Sequence, residues 1–494
     1  MRRFLLVAAL CLAASVLLPE PAQAADPATP AAPTLSPAVK AFVSEDSPVF
    51  ALTHVKVIDG TGGAPLEDQT VVVDHGRILA MGPAATTPAP AGAKVIERRG
   101  YTVIPGLVGM HDHLVYPIDF ASARGPDALP LYGEMGFSFP RLYLACGVTS
   151  LRTTGSLDPY TDLELKNWID EGRLPGPKMH ITGPYLEGAG AYTPQMHELS
   201  GPDDARRMVD YWADEGVTSF KAYMHITRAE LAAAIKAAHK HGLKITGHLC
   251  SIGFREAAAL GIDDLEHGLL VDTEFVPGKQ PDVCPSQKAA SESLVKLDLA
   301  SAPAQEMIRD LVQHHVAVTS TLPVFETFLP KQSHLDERVL DVLAPEARLD
   351  YLTSRTRTEQ RTGSSFPEEY KKELQFEHDF VKAGGLLLAG EDPTGYGGVL
   401  AGFGDQREVE LLVDAGFTPV EAIHIASANG AEFLGESDHL GTLAPGKQAD
   451  MVLIHGDPAS KIADIEKVEV VFKDGIGYDS AKLIESVRGV VGRR

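Results

Sequence analysis

Two stretches near the start of the chain, Phe50 to Ile58 and Thr70 to Met81, alternate apolar and polar positions as half-buried strands do. The turn-forming run Asp59-Gly60-Thr61-Gly62-Gly63 lies between them. The far end repeats this character from Gly441 to Asp474, with strand patterns at Ala449 to Ile454 and Val468 to Lys473. Two β-rich blocks at opposite ends are most simply one small β-domain built from both, covering residues 49–104 and 440–480. Between them, short apolar runs alternate with helical stretches, the pattern of βαβ units on a parallel sheet. Eight runs qualify as strands: Thr102 to His113, Val148 to Thr154, Lys178 to Tyr185, Val217 to Met224, Leu243 to Leu249, Asp264 to Leu269, Val316 to Leu322 and Leu386 to Asp392. Capping-box pairs mark helix starts at Thr161 with Glu164, Thr227 with Glu230, and Thr418 with Glu421, the last with Pro419 at the first helical position. The fold class is therefore α/β: a TIM-like (β/α)₈ barrel over residues 105–439, with a small β-sandwich domain built from both termini. An open doubly wound sheet competes, but no glycine-rich dinucleotide fingerprint follows the first strand.

The first residues belong to targeting, not to this fold. Arg2 and Arg3 precede an apolar stretch from Phe4 to Leu18, and Ala22-Gln23-Ala24 offers a small-x-small cleavage pattern. Residues 1–24 read as a signal peptide and 25–48, rich in Pro, Ala and Thr, as a flexible lead-in. The mature chain is then secreted or periplasmic, with no membrane contact after cleavage. It retains Cys146, Cys250 and Cys284, enough for one disulfide but no disulfide framework. A formal charge of -23 opposes nucleic acid and anionic membranes as partners. Homo-oligomerisation is compatible with such a surface, though no stretch displays an interface.

In a barrel of this kind the chemistry sits at the C-terminal ends of the strands. His111 and His113 end the first predicted strand, and their spacing puts both on one side with Asp112 pointing away. His248, His267 and Asp392 end the fifth, sixth and eighth. Each alone has an ordinary structural explanation, a core histidine or a capping aspartate, but together they mark one end of the barrel. Lys221 ends the fourth strand. A buried lysine either pairs with a carboxylate or loses its proton, and a neutral amine can take up carbon dioxide as a carbamate able to bridge two metals.

The chain resembles the amidohydrolase superfamily, and within it the imidazolonepropionase-like and Xaa-Pro dipeptidase (prolidase-like) group. The resemblance lies in Val103-Ile104-Pro105-Gly106-Leu107-Val108-Gly109-Met110-His111-Asp112-His113, Gly216 to Tyr223, Asp264 to Gly268, Gly390-Glu391-Asp392, Ala415 to Ile423 and Gly441 to Asp450. It implies two divalent ions, usually zinc. His111, His113 and Asp392 would hold the more buried ion and His248 and His267 the other, with carboxylated Lys221 bridging both. It further implies attack on the carbonyl by a hydroxide between the metals, with Asp392 as the catalytic proton shuttle. Two departures stand out. His248 is alone at the fifth strand end, where many relatives have two histidines, and Glu391 replaces a common threonine.

A small-molecule substrate with an amide bond follows, of dipeptide-like or N-acyl amino acid type. Its carboxylate calls for Arg, Tyr or His donors. Tyr223, two residues past Lys221, and His225 are the expected substrate-binding residues, with Tyr192, His197 and Arg152 nearby in sequence terms. The same scaffold also supports hydrolysis of a cyclic amide or ester, or a ring deamination. A catalytically inactive binding or assembly protein would be expected to lack metal ligands, and all six positions are filled here.

Overall fold

The computed structural model describes residues 34–119, 130–330 and 335–492, so the expected signal peptide lies outside the described residues. Part of the expected lead-in is structured. Pro37–Lys40 is a short helix capped by Ser36, and Val43–Glu45 is a strand paired with Ile476–Asp479. No helix among the described residues is long and apolar enough to cross a membrane.

The two terminal blocks pair with each other in one nine-stranded sheet. Val49–Val57 is its pivot, antiparallel to Leu66–Asp74 on one side and parallel to Lys94–Glu97 and Tyr101–Pro105 on the other. Tyr101–Pro105 in turn pairs with Met451–His455, which brings in the C-terminal strands. The expected sandwich is thus one continuous sheet in its pairing, because the blocks join edge to edge. Phe50 from one block stacks on Phe472 from the other, with ring centroids 5.2 Å apart. The predicted strand Thr70 to Met81 is two strands. His75 and Gly76 both take positive φ and turn the chain into Arg77–Pro83.

The eight predicted inner strands are present but shorter than their apolar runs. We label them β1 (Leu107–Asp112), β2 (Val148–Thr153), β3 (Lys178–His180), β4 (Ser219–Ala222), β5 (Lys244–Gly247), β6 (Asp264–Glu266), β7 (Ala317–Ser320) and β8 (Leu387–Ala389). The first predicted run, Thr102 to His113, splits at Gly106. Pro105 belongs to the terminal sheet and Leu107 to β1. A Cβ at Gly106 would stand 2.0 Å from Thr149 Oγ1, so this crossing needs glycine. All pairing is parallel, as the alternating pattern predicted.

Regular pairing forms two arcs, β1 to β3 and β4 to β8, rather than a closed ladder. Isolated bridges Thr182–Ser219 and Leu186–Ala222 link the arcs on one side. On the other, the Asp392 amide donates to the His111 carbonyl at 2.9 Å. Gly390 permits this approach, since a Cβ there would meet the His111 nitrogen at 2.3 Å. The arrangement is a TIM-like α/β barrel with helices between the strands. The capping boxes at Thr227 and Thr418 form as predicted, but the helix expected from Thr161 starts earlier, capped by Asp158 with Pro159 in its first turn.

Candidate metal centre

Five strand ends deliver the six candidate ligands to one place. His111 lies in β1 and His113 just beyond it, Lys221 lies in β4, and His248 and His267 each follow the last residue of β5 and β6. Asp392 stands three residues past β8. Two of these positions bend the backbone: His267 takes φ 69° and Asp392 φ 51°. Left-handed backbone is costly for such residues and persists where the surroundings impose it. Asp392 sits among three imidazoles, 3.8 Å from His111 Nε2, 3.6 Å from His113 Nε2 and 3.9 Å from His267 Nε2. His248 packs edge-on against His267, with centroids 4.5 Å apart.

Neighbouring groups orient the rings. His111 Nδ1 is 2.6 Å from Glu266 Oε2, and His267 Nδ1 is 2.7 Å from Thr321 Oγ1, so each ring turns Nε2 towards the centre. Burial, reinforced by the nearby Lys221 cation, holds all four imidazoles neutral: His113 and His248 down to about 3, His111 and His267 well below their ordinary value. Neutral imidazoles are what a divalent metal needs. Burial also pushes the Asp392 carboxyl up to about 6 against the opposing pull of Lys221. Lys221 is lowered to about 8 by burial, though Glu266 and Asp392 resist. Its Nζ has no carboxylate within ion-pair distance among the described residues. It lies 3.2 Å from His111 Nε2 and over the rings of Tyr185 and Tyr223. The donor set therefore fits a divalent metal, and ligand atoms of His111, His267 and Asp392 lie within 4.8 Å of one another.

Arg152, one of the residues weighed for substrate, lies beneath the centre instead. It is fully buried, donates to the Met110 carbonyl and to Thr246, and pairs with Glu266 at 3.1 Å. Burial raises the Glu266 carboxyl, but Arg152 and Lys221 outweigh it and keep the group ionised. Asp112 does point away from the ligands, its carboxylate packed against Gly109. A cavity of about 320 Å³ opens over the ligands. Tyr223 lines it, edge-on to His248 at 4.9 Å, and so does Tyr192. His225 does not line it and faces Glu187 at 3.5 Å, while His197 bonds Asp204 at the surface.

A model of the amidohydrolase family matches residues 391–476, which begin at Glu391 and include Asp392. An imidazolonepropionase from Cupriavidus taiwanensis is 28% identical over 253 residues, 42% of this chain and 60% of that protein. The match thus spans under two thirds of that relative's length. A solved Xaa-Pro dipeptidase with bound methionine in its active site superposes with a TM-score of 0.64 at 20% identity, covering 87% of this chain and 100% of the other. The bottromycin amidohydrolase superposes with a TM-score of 0.64 at 19% identity, covering 92% and 95%. Over these stretches the chain is similar to members of the amidohydrolase family.

The site also holds residues that sequence reasoning passed over. Glu266, in contact with both His111 and Arg152, stands directly before His267, and that adjacency was a usable signal. Tyr185, buried and stacked 6.4 Å from His113, closes the third apolar run and was equally visible. Tyr132 reaches the cavity from a strand, and Phe325 and Gln287 from two helices, all remote in sequence, and nothing local marks them.

Proposed function

We propose that this chain is a metal-dependent hydrolase of an amide bond in a dipeptide-like or N-acyl amino acid substrate. The observation that carries the reading is the meeting of four neutral imidazoles, Lys221 and Asp392 from five strand ends, beneath one cavity that all of them but His111 line. His111, His113 and Asp392 would hold one divalent ion and His248 and His267 a second, with Lys221 as a carbamate between them. Zinc suits this nitrogen-and-carboxylate set. Such ions polarise a carbonyl and supply a nucleophilic water near neutral pH. Asp392 can accept that water's proton at Oδ1 or Oδ2 and return it to the leaving nitrogen. Glu266, Arg152 and Thr321 hold His111 and His267 in orientation. The cavity wall offers tyrosine hydroxyls, Tyr223 among them, to the polar end of the substrate. Export belongs to the same proposal, and the Cys250–Cys284 disulfide supports an oxidising compartment.

A second reading, hydrolysis of a cyclic amide, is favoured by the match to imidazolonepropionase. One experiment addresses both. Metal content of the mature protein and of His248→Ala is measured beside hydrolysis of X-Pro dipeptides, N-acyl amino acids, lactams and lactones. Linear-amide hydrolysis with about two metal equivalents is expected, and in the variant metal and rate should fall together, the rate by at least about 100-fold. Turnover of the cyclic substrates alone would favour the second reading. Failure to bind metal after zinc and bicarbonate are supplied would overturn both.

A further inference from the structure

A second cavity, of about 610 Å³, adjoins the one over the metal centre. The two share Phe325, Phe328 and Gln287. Phe325 contacts the centre itself, edge-on to His267 with centroids 5.5 Å apart. From there a chain of rings runs outward. Phe328 lies 6.4 Å from Phe325, and both Phe366, at 5.8 Å, and Tyr396, at 4.8 Å, pack on Phe328. The walls behind them are helical, from Gln287–Lys296, Leu322–Glu326 and Phe366–Lys382.

These four rings are all only half-buried. By contrast Phe50, Phe139, Phe220, Phe254, Phe376 and Phe380 are completely buried in the core. Aromatic rings clustered in a concave surface and left partly in water form a surface that an apolar guest can cover. Ring edges and faces select a further aromatic ring over an aliphatic group of equal size by roughly two- to tenfold. Charge does not select here, because the lining mixes signs: Lys288 and Arg361 against Asp272 and Glu369. Arg361 is turned to the Tyr396 hydroxyl at 2.9 Å, and Glu369 accepts from Ser291.

We infer that this second cavity is a specificity subsite that receives an uncharged aromatic group of the substrate, on the far side of Phe325 and Phe328 from the scissile bond. The inference rests on the proposed hydrolase function and narrows its substrate to amides carrying such a ring. Binding energy gained there, away from the reacting atoms, raises kcat/KM for ring-bearing substrates over truncated ones.

The test compares kcat/KM for N-acetyl against N-benzoyl amino acids, and for alanine against phenylalanine on the other side of the amide. Wild type, Phe366→Leu and Phe366→Ala are used, since Phe366 lines only the second cavity. The wild type should favour the ring-bearing member of one pair by at least about tenfold, and both variants should shrink that ratio at least about fivefold. A ratio near one, or one that neither variant changes, overturns the subsite. Indole, which has no scissile amide, separates this from failure of the hydrolase reading. If no substrate is cleaved, saturable indole binding detected by NMR and weakened in Phe366→Ala upholds the subsite, and absence of binding overturns it.

Discussion

At the scale of the residue, the centre depends on Glu266 as much as on the ligands themselves. Its buried carboxylate receives His111 Nδ1 on one oxygen and Arg152 on the other. A neutral amide there would weaken the hold on the imidazole and leave a buried guanidinium without its counter-charge. Glu266→Gln is expected to lower metal affinity about 10–100-fold, read by competition with a chelator of known affinity. Retention of wild-type affinity would mean that His111 is oriented by packing alone. The candidate ligands were legible in the sequence because imidazole, amine and carboxylate at the ends of apolar runs are chemically conspicuous. The place of Arg152 was not. It too ends an apolar run, but the pairing of β2 with β1 shifts register between Leu151 and Thr153, so counting residues does not say which way its side chain faces.

At the scale of the element, punctuation residues decided where the predicted strands really ended. Pro105-Gly106 divides one apolar run between the terminal sheet and β1, and His75-Gly76 folds another into a hairpin. Both dipeptides carry turn chemistry that a period-two pattern passes over. The disulfide is another element-scale feature. Cys250 follows His248 by two residues and is bonded to Cys284, 34 positions away, which ties the end of β5 to the segment before the helix Gln287–Lys296. Closing a loop of that length stabilises by about 3–4 kcal/mol in the chain-entropy account. Cys250→Ser with Cys284→Ser should therefore lower the unfolding midpoint by about 3–5 °C and weaken metal retention with it. An unchanged midpoint in thermal unfolding, matched by wild type under reductant, would sink that expectation.

At the scale of the whole molecule, a strongly acidic chain also buries carboxylates. Glu377, on the helix Phe366–Lys382, and Glu408 are buried beside Ser320 at the end of β7, and Glu373, one turn before Glu377, is buried next to it. Burial pushes Glu377 up to about 8 from an ordinary 4.5. Between those values the folded state binds the proton more tightly than the unfolded chain, so this group's contribution falls as pH rises through the window. Glu377→Gln, which cannot ionise, should raise stability relative to wild type at pH 8.5 by about 1–3 kcal/mol. The gain should largely vanish at pH 4.5. Urea unfolding at the two pH values measures it, and a gain independent of pH would assign the effect to packing.

The sequence by itself determined the kinds of element and their order, the alternation that makes the inner sheet parallel, and the residue types that could hold metal. These are local properties, carried by periodicity, turn chemistry and side-chain type within a few positions. Only the tertiary structure decided that the terminal blocks join in one sheet, that Arg152 supports the centre from beneath, and that His225 turns to Glu187. It also decided that Phe325, Phe328, Phe366 and Tyr396 gather beside the centre. The physical reason is common to all of these. Pairing, register and burial are fixed by contacts between segments far apart in the chain, and no local pattern encodes which distant partner covers a given side chain.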